Sequence, residues 1–272
     1  MKQLTEHIAF AGKEQFSQIE ELWIEAFKDD REYVQFYLAH QFKEDNLLVY
    51  IEDGRVAAML SLLPFVLHWN GQQTDAKYVY AVATARAYRR RGYAAALLAY
   101  AKEQYGTLAL EPAGKELSDY YRKMGFSEAF FVREYELGLT ERREAPKYWL
   151  LSITPSEYAA LRDAYFMGDG YCQWEKDMVA YALLENDFCG GYAYKILHEG
   201  QEDLFFYRME EGELRIIETT LTDEAVCDVC RKLKLPVTKA WIRRNAPEGG
   251  RSIGMLWSKL PVTGGYLNLT LE

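Results

Sequence analysis

Hydrophobic residues between positions 47 and 84 fall into three runs that two short polar turns separate. The runs are Leu47–Glu52, Arg55–Trp69 and a segment that ends at Thr84. The turns are Asp53-Gly54 and Asn70-Gly71. Both dipeptides are favoured in two-residue hairpin loops because both of their positions accept positive φ angles. The pattern predicts strands joined by two consecutive β-hairpins.

After Thr84 the apolar spacing becomes helical. From Ala94 onward, apolar residues recur every three or four positions, at Leu97, Leu98, Ala101 and Tyr105. A further strand is predicted at Thr107–Glu111. A short helix follows, with Leu117, Tyr120, Tyr121 and Met124 on one face, and it ends at Gly125-Phe126, where a final strand begins. Strands and helices that alternate in this way predict an α/β fold with a mixed sheet.

The turn between the third strand and the long helix has the chemistry of an anion site. It contains Arg89, Gly92 and Ala94 in the pattern Arg-x-x-Gly-x-Ala. The first N–H groups of a helix have no partner inside the helix, and the helix dipole adds partial positive charge there. Gly92 lets the backbone approach a ligand closely, so the turn suits a phosphate or pyrophosphate. It lacks the Gly-Lys-Ser/Thr of a P-loop and the three glycines of a dinucleotide-binding turn.

The second half of the chain repeats the layout of the first. A charged segment with Pro146 predicts a linker at residues 139–148 between domains at 1–138 and 149–272. The predicted helices are Ser156–Phe166, Trp174–Asn186 and Asp223–Leu233, and the predicted strands are Gly191–Leu197, Asp203–Arg208, Leu214–Leu221 and, by its apolar alternation, Tyr266–Glu272. The turn at 220–224 has no basic residue and no glycine, so a pyrophosphate is not expected there.

Charge and composition exclude several classes of function. The formal net charge is −9, which argues against nucleic-acid binding and weakly favours a cationic partner. The longest apolar run, Val56–Trp69, is too short to cross a bilayer, and the N-terminus has no signal pattern, so we expect a cytoplasmic protein without membrane contact. Cys227 and Cys230 lie in a helical pattern with no histidine nearby. We therefore expect no disulfide framework and no metal, and we interpret the four cysteines as small buried hydrophobic residues.

Two motifs in residues 1–138 resemble those of the GNAT superfamily of acyl-CoA-dependent N-acyltransferases. That family carries Arg/Gln-x-x-Gly-x-Gly/Ala directly after its fourth strand, as Arg89–Ala94 does here. Its second signature, a tyrosine four residues before a Gly-Phe pair, matches Tyr121 and Gly125-Phe126. The two halves together are similar to the tandem acetyltransferases of the enhanced-intracellular-survival type. That type also has a third, sterol-carrier-like domain, for which 272 residues are too few.

The resemblance implies roles for particular residues. Acetyl-CoA is the expected co-substrate. Its pantetheine arm would pair with the backbone of Val82, Ala83 and Thr84, and its pyrophosphate would meet the N–H groups of Arg89, Arg90, Arg91, Gly92, Tyr93 and Ala94. Tyr121 occupies the position of the general acid that protonates the leaving thiolate. The alternative is that Tyr121 is a core residue in a chain with 21 tyrosines.

The general base stays open at this stage. The family often uses a glutamate on its fourth strand, where this chain has Tyr78 and Tyr80. Glu111 is the nearest carboxylate by topology, and a water chain would also serve. The third candidate is the chain terminus with the side chain of Glu272, since the resemblance implies that the terminal carboxylate enters the first active site.

The resemblance, with these residues in its motifs, implies an N-acetyltransferase that transfers an acetyl group directly to a primary amine of a small, cationic molecule. A coenzyme-A-binding sensor without turnover would need the Arg89–Ala94 turn but not Tyr121. An interaction protein could use the aromatic region from Tyr158 to Trp174. The acceptor, the acyl-chain preference and the oligomeric state are left open by the sequence.

Overall fold

The chain forms two compact units, seen in a computed structural model that describes residues 1–139 and 147–269. Unit 1 consists of residues 1–65, 74–128 and 254–261, and unit 2 of residues 66–73, 129–253 and 262–272. Each unit therefore takes segments from both halves of the sequence. The two domains at 1–138 and 149–272, joined by a linker, stay a prediction.

The elements follow one another in a regular order. In the first half they are β1 (Lys2–Gln3), β2 (Ile8–Phe10), α1 (Phe16–Phe27), α2 (Arg31–Gln41), β3 (Leu47–Glu52), β4 (Arg55–Trp69), β5 (Gln72–Thr84), α3 (Tyr93–Tyr105), β6 (Leu108–Leu110), α4 (Lys115–Lys123) and β7 (Ser127–Gly138). In the second half they are β8 (Trp149–Ser152), α5 (Pro155–Phe166), β9 (Cys172–Trp174), α6 (Lys176–Phe188), β10 (Tyr192–His198), β11 (Gln201–Glu210), β12 (Glu213–Thr219), α7 (Asp223–Lys232), β13 (Lys239–Asn245) and β14 (Arg251–Trp257).

The sheet of unit 1 has the strand order β1-β2-β3-β4-β5-β6-β14. The two predicted hairpins are confirmed, with β3, β4 and the end of β5 at the predicted residues. Asp53, Gly54, Asn70 and Gly71 all have positive φ, as the hairpin dipeptides require. β5 and β6 run parallel, whereas β14 pairs with β6 in the antiparallel sense.

One face of this sheet is covered by α3 and α4. The predicted stripe of α3 is confirmed at Leu97, Leu98 and Ala101, which are fully buried against apolar residues of the sheet and against Tyr121 of α4. Leu117, which was predicted to share the apolar face of α4, is instead 43% exposed. It lies in the first turn of a nine-residue helix, and Tyr121 is the buried residue of that helix.

The sheet of unit 2 has the strand order β7-β13-β12-β11-β10-β8. The sequence of elements β8-α5-α6-β10-β11-β12-α7-β13 repeats that of β2-α1-α2-β3-β4-β5-α3-β6, with β9 added before α6. β12 and β13 are parallel, as β5 and β6 are. The predicted repetition of layout is confirmed, although α6 begins two residues later than predicted because Cys172–Trp174 forms β9.

The predicted strand at Tyr266–Glu272 is wrong over its described part. Gly265 and Tyr266 form only isolated bridges, and Leu269 has a φ of 59°, which lies outside the β region. The backbone carbonyl of Asn268 accepts hydrogen bonds from the side chains of Arg162 and Trp174. Because side chains use this carbonyl, it is not available to a neighbouring strand. Residues 270–272 lie outside the described part of the chain.

Three of the four thiols are buried, in agreement with their interpretation as small hydrophobic residues. These are Cys172, Cys227 and Cys230, and all four cysteines are free thiols. The interpretation is wrong for Cys189, which is exposed because it follows the last turn of α6 at the surface.

A buried ion pair organises the interior of unit 2. Arg162 of α5 and Glu218 of β12 lie 3.1 Å apart, with side chains that are 1% and 0% exposed. The guanidinium also donates to the Tyr171 hydroxyl and to the carbonyls of Cys172 and Asn268. The carboxylate accepts hydrogen bonds from Tyr158, Tyr266 and Asn268. Every charge in the pair is therefore matched by hydrogen bonds, which a buried ion pair requires.

We expect Arg162→Met to destabilise unit 2 by about 3–5 kcal/mol, because Glu218 would keep a buried charge without its cation. The urea midpoint of unfolding, followed by circular dichroism, measures this loss. Arg133→Met is the control, since this exposed arginine should change stability by about 0.5 kcal/mol or less. The double variant Arg162→Met/Glu218→Leu should be more stable than Arg162→Met alone. A double variant that is less stable would contradict the uncompensated-charge explanation.

Candidate active site

In the sheet of unit 1, β5 extends beyond the end of the neighbouring strand β6. β5 pairs with β6 in the parallel sense, with Lys77 opposite Leu108 and Tyr78 opposite Ala109. β6 ends at Leu110, whereas β5 continues to Thr84. The backbone of Val82, Ala83 and Thr84 therefore extends past the end of β6. Backbone groups on such an edge can pair with an extended ligand.

An irregularity at Ala81 bends β5 just before this edge. Ala81 has a φ of 52°, a left-handed conformation that is rare for a non-glycine residue and marks a break in strand geometry. Tyr78 and Tyr80, two residues apart, have their rings stacked at 6.4 Å. Val79 and Val82, three residues apart, both pack against the core under α3. The alternation of faces is thus shifted by one residue at Ala81, and no turn residue in the sequence signals it.

The Arg89–Ala94 turn presents the uncapped start of α3. Gly92 is the N-cap residue, with a φ of 84°, and no side chain caps the helix. Arg90 also has a positive φ, of 65°. A Cβ atom built at Gly92 would have no atom within 4 Å, so the space in front of the first helical turn is open. Backbone donors that face open space at a helix start fit a pyrophosphate, and the residues present therefore fit the group that the sequence predicts.

The side chains around this turn divide into exposed cations and a packed aromatic. Arg89, Arg90 and Arg91 are exposed. Arg89 Nε donates to the carbonyl of Thr84 at 3.1 Å, which fixes the turn against the end of β5, and the Arg91 guanidinium lies 5.4 Å from the ring centroid of Tyr88. Tyr93 stacks on Tyr50 with ring centroids 4.1 Å apart. Of these side chains, Tyr93 anchors the helix, Arg89 holds the turn against the end of β5, and Arg90 and Arg91 are exposed cations beside the helix start.

Tyr121 lies in the interior beneath the same helix. Its side chain is 6% exposed and belongs to the buried cluster that contains Leu97 and Leu98 of α3. The ring contacts Tyr120 and Phe126 in edge-to-face geometry, with centroids 5.3 Å and 5.8 Å away. Burial, together with the neighbouring Tyr120, raises the pKa of the Tyr121 phenol well above its usual range. The phenol therefore keeps its proton at neutral pH, as a general acid must.

The carboxylates considered as the general base, and the two tyrosines that stand where the family has a glutamate, lie in different parts of the structure. Glu111 follows the last residue of β6 and is half-buried. Tyr78 is buried, and Tyr80 is half-buried in an aromatic cluster with Trp23 and Tyr37 of α1 and α2. Glu272 lies outside the described residues. Of the carboxylates predicted to act, Glu111 is the one within the described residues, and it directly follows β6, the strand next to β5.

The corresponding turn in unit 2 has a different electrostatic character. The side chain of Thr222 caps α7 by accepting a hydrogen bond from the N–H of Ala225. Asp223 and Glu224 supply negative charge in the first turn, and Asp223 accepts hydrogen bonds from Tyr135 and Arg244. Because this helix start already carries its own anions, a pyrophosphate would be repelled there. The absence of glycine and basic residues in the sequence of this turn signals the difference.

The described part of the chain shows no sign of a metal centre or a membrane span. In residues 1–139 and 147–269, no three His, Cys, Asp or Glu side chains are grouped as metal ligands. Over the same residues, no helix has the length and apolar character needed to cross a membrane.

Sequence analysis missed Lys102 of α3. Its ammonium donates to the carbonyl of Met124, the C-cap residue of α4, and lies over the rings of Phe126 and Trp257. Lys102 begins the polar run Lys102-Glu103-Gln104 near the end of α3, and nothing in that run distinguishes it from solvent-exposed residues. The contact joins α3 to the end of the helix that carries Tyr121.

Comparisons with known proteins agree with this architecture. The family model described as an acetyltransferase (GNAT) domain matches residues 7–129. No curated protein matches the sequence significantly. A GCN5-related N-acetyltransferase from Anabaena variabilis has a similar structure, with a TM-score of 0.70, 19% identity, and coverage of 92% of this chain and 71% of that one.

Two further solved structures are similar to the chain. Eis1 from Mycobacterium abscessus gives a TM-score of 0.60 at 15% identity over 90% of this chain and 66% of its own. A tandem GNAT protein from the clavulanic acid biosynthesis pathway gives 0.53 at 16% identity over 93% and 97%. At these identities the likeness shows the fold, and the family match adds the kind of domain. Residues 7–129 therefore match the model of a GNAT acetyltransferase domain, and the chain has the fold of the GNAT N-acetyltransferases.

Proposed function

We propose that this protein is an acetyl-CoA-dependent N-acetyltransferase that transfers the acetyl group directly to a primary amine of a small, cationic molecule. The observation that carries the proposal is the uncapped start of α3 at Gly92, which opens onto free space and follows the end of β5 that extends past β6. A thioester with a pyrophosphate and an amide-bearing arm matches these two features together. The acidic net charge of −9 favours a cationic acceptor.

The cofactor contacts follow from the backbone. The edge of Val82, Ala83 and Thr84 would pair with the amides of the pantetheine arm, as an added strand does. The N–H groups of residues 89–94 would hold the pyrophosphate, and the exposed side chains of Arg89, Arg90 and Arg91 would neutralise phosphate charge. Acetyl-CoA supplies the activated acetyl group; the protein supplies its position and the proton transfers.

The reaction needs a group that accepts a proton from the amine and a group that donates one to the thiolate. The acceptor amine must lose one proton before attack, because a free alkylammonium has a pKa of about 10.4. We assign this step to Glu111, directly or through water, since it follows the strand beside β5. When the amine nitrogen bonds to the thioester carbonyl carbon, the nitrogen loses its second proton to water. The carbon–sulfur bond then breaks, the departing thiolate takes a proton from the Tyr121 hydroxyl, and water returns a proton to the phenolate.

Gly92→Val should weaken acetyl-CoA binding by more than about tenfold, because a branched side chain would fill the space in front of the helix start. Isothermal titration calorimetry measures the affinity. Gly106→Val is the matched control: Gly106 caps the other end of α3, also has a positive φ and also faces open space. Both variants carry the same backbone strain, so equal affinities in the two would disprove the proposed pyrophosphate site.

Tyr121→Phe should lower kcat by about 10²–10⁴-fold and leave acetyl-CoA affinity within about twofold, because only the proton donor is removed. Tyr120→Phe is the control and should retain most of the activity. Since the pKa of Tyr121 is raised, the phenol is protonated throughout pH 6–9. The fold-loss in Tyr121→Phe should therefore be constant over that range. Release of coenzyme A thiol measures turnover; full activity of Tyr121→Phe would show that the residue only packs the core.

A panel of primary amines tests the activity itself. It contains a polyamine, an amino sugar, an aromatic amine and a peptide with a free lysine, each incubated with acetyl-CoA. Acetylated product from any member supports the proposal. Acetyl-CoA binding without any product would instead favour a coenzyme-A-binding sensor, and no binding would favour an interaction protein.

A further inference from the structure

Lys102 connects the cofactor helix to the helix of the proposed general acid. It projects from the third turn of α3, whose first turn forms the proposed pyrophosphate site. Its ammonium donates to the carbonyl of Met124 at the C-terminal end of α4. The carbonyl end of a helix carries partial negative charge, so a cation there is stabilising. Lys102 thus fixes the end of α4 to α3.

Aromatic contacts extend this connection to Tyr121. The Lys102 ammonium lies 4.8 Å from the ring centroid of Phe126 and 5.4 Å from that of Trp257, which are cation–π distances. Phe126 contacts Tyr121 edge to face at 5.8 Å, and its N–H donates to the carbonyl of Tyr121 at 3.1 Å. A displacement of the end of α4 would therefore move Phe126 and with it the ring of Tyr121.

The burial of Lys102 carries an energetic cost. Desolvation lowers the pKa of its ammonium, which shows that burial opposes its charge. Packing of an apolar side chain alone would be achieved by methionine or leucine without that cost. A lysine at this position is explained by the carbonyl and the two ring faces that it contacts.

We propose that Lys102 is a positioning residue for acyl transfer, which holds the C-terminal end of α4 so that the Tyr121 hydroxyl keeps a fixed place relative to the cofactor site on α3. This inference rests on the proposed function. It assigns Lys102 no contact with substrate; its effect on the reaction passes through Tyr121.

Hydrogen exchange tests whether Lys102 holds the C-terminal end of α4, and this experiment needs no enzymatic activity. In Lys102→Met, the amides of Met124, Gly125 and Phe126 should exchange about tenfold faster than in the native chain, because the end of α4 is released. The amides of residues 97–101 should be unchanged. Lys102→Arg keeps a cation that can reach the carbonyl and the rings, so it should restore protection. Lys123→Met removes an exposed lysine from the last turn of α4 and is the control. Unchanged exchange in Lys102→Met overturns the proposal.

Measurements of kcat test whether the effect of Lys102 on the reaction passes through Tyr121. With the amine that is turned over fastest in the panel, Lys102→Met should lower kcat about tenfold and leave acetyl-CoA affinity within about twofold. In the Tyr121→Phe background the same substitution should lower kcat by less than about twofold, because the group that it positions is already gone. A merely structural role would give the same fold-loss in both backgrounds, and that result would also overturn the proposal. If the protein acetylates no amine, the proposed function is refuted. The exchange experiment still determines whether Lys102 holds the end of α4.

Discussion

The candidate site depends on how briefly β5 and β6 pair. Their parallel register covers Lys77 and Tyr78, after which β6 ends and β5 continues to Thr84. A backbone that leaves its partner strand must satisfy its hydrogen-bonding groups elsewhere, with water or with a ligand. The bend at Ala81 occurs where the pairing has ended. The part of β5 that extends past β6 and the start of α3 therefore lie close together along the chain.

Unit 2 has the same topology as unit 1 but different residues at the turn before the corresponding helix. It has the same order of strands and helices, with a parallel pair at the corresponding place, yet α7 begins with a threonine cap and two carboxylates. A capped helix start has fewer free donors, and its acidic first turn opposes another anion. The fold alone therefore does not produce an anion site. The residues at the strand–helix turn decide it, and Gly92 and Thr222 give opposite results.

Local features of unit 1 could be predicted from sequence because each rests on the preference of one or two residues. Asp53-Gly54 and Asn70-Gly71 set the hairpins, and Gly92 sets the turn before α3. The failures have long-range causes. The end of the chain alternates like a strand, yet Arg162 binds the carbonyl of Asn268 from 106 positions away. β13 and β14 were not predicted, and β14 pairs with β6 more than a hundred residues earlier in the sequence.

The residues of the candidate site also divide into those that a short motif predicts and those that only a long-range contact places. The roles proposed for Tyr121 and for the turn come from short motifs, whereas the contact between Lys102 and Met124 has no motif because it joins two helices through a backbone carbonyl. Tyr121 needs such a contact. α4 has only nine residues, and an isolated helix of that length is marginal, so its position must come from packing. A buried aromatic ring alone restrains its depth in the core but permits sliding of the helix along its axis. A cation bound to the carbonyl at the helix end restrains that axial movement, and because the cation belongs to α3, the proposed general acid and the proposed cofactor turn share one reference helix.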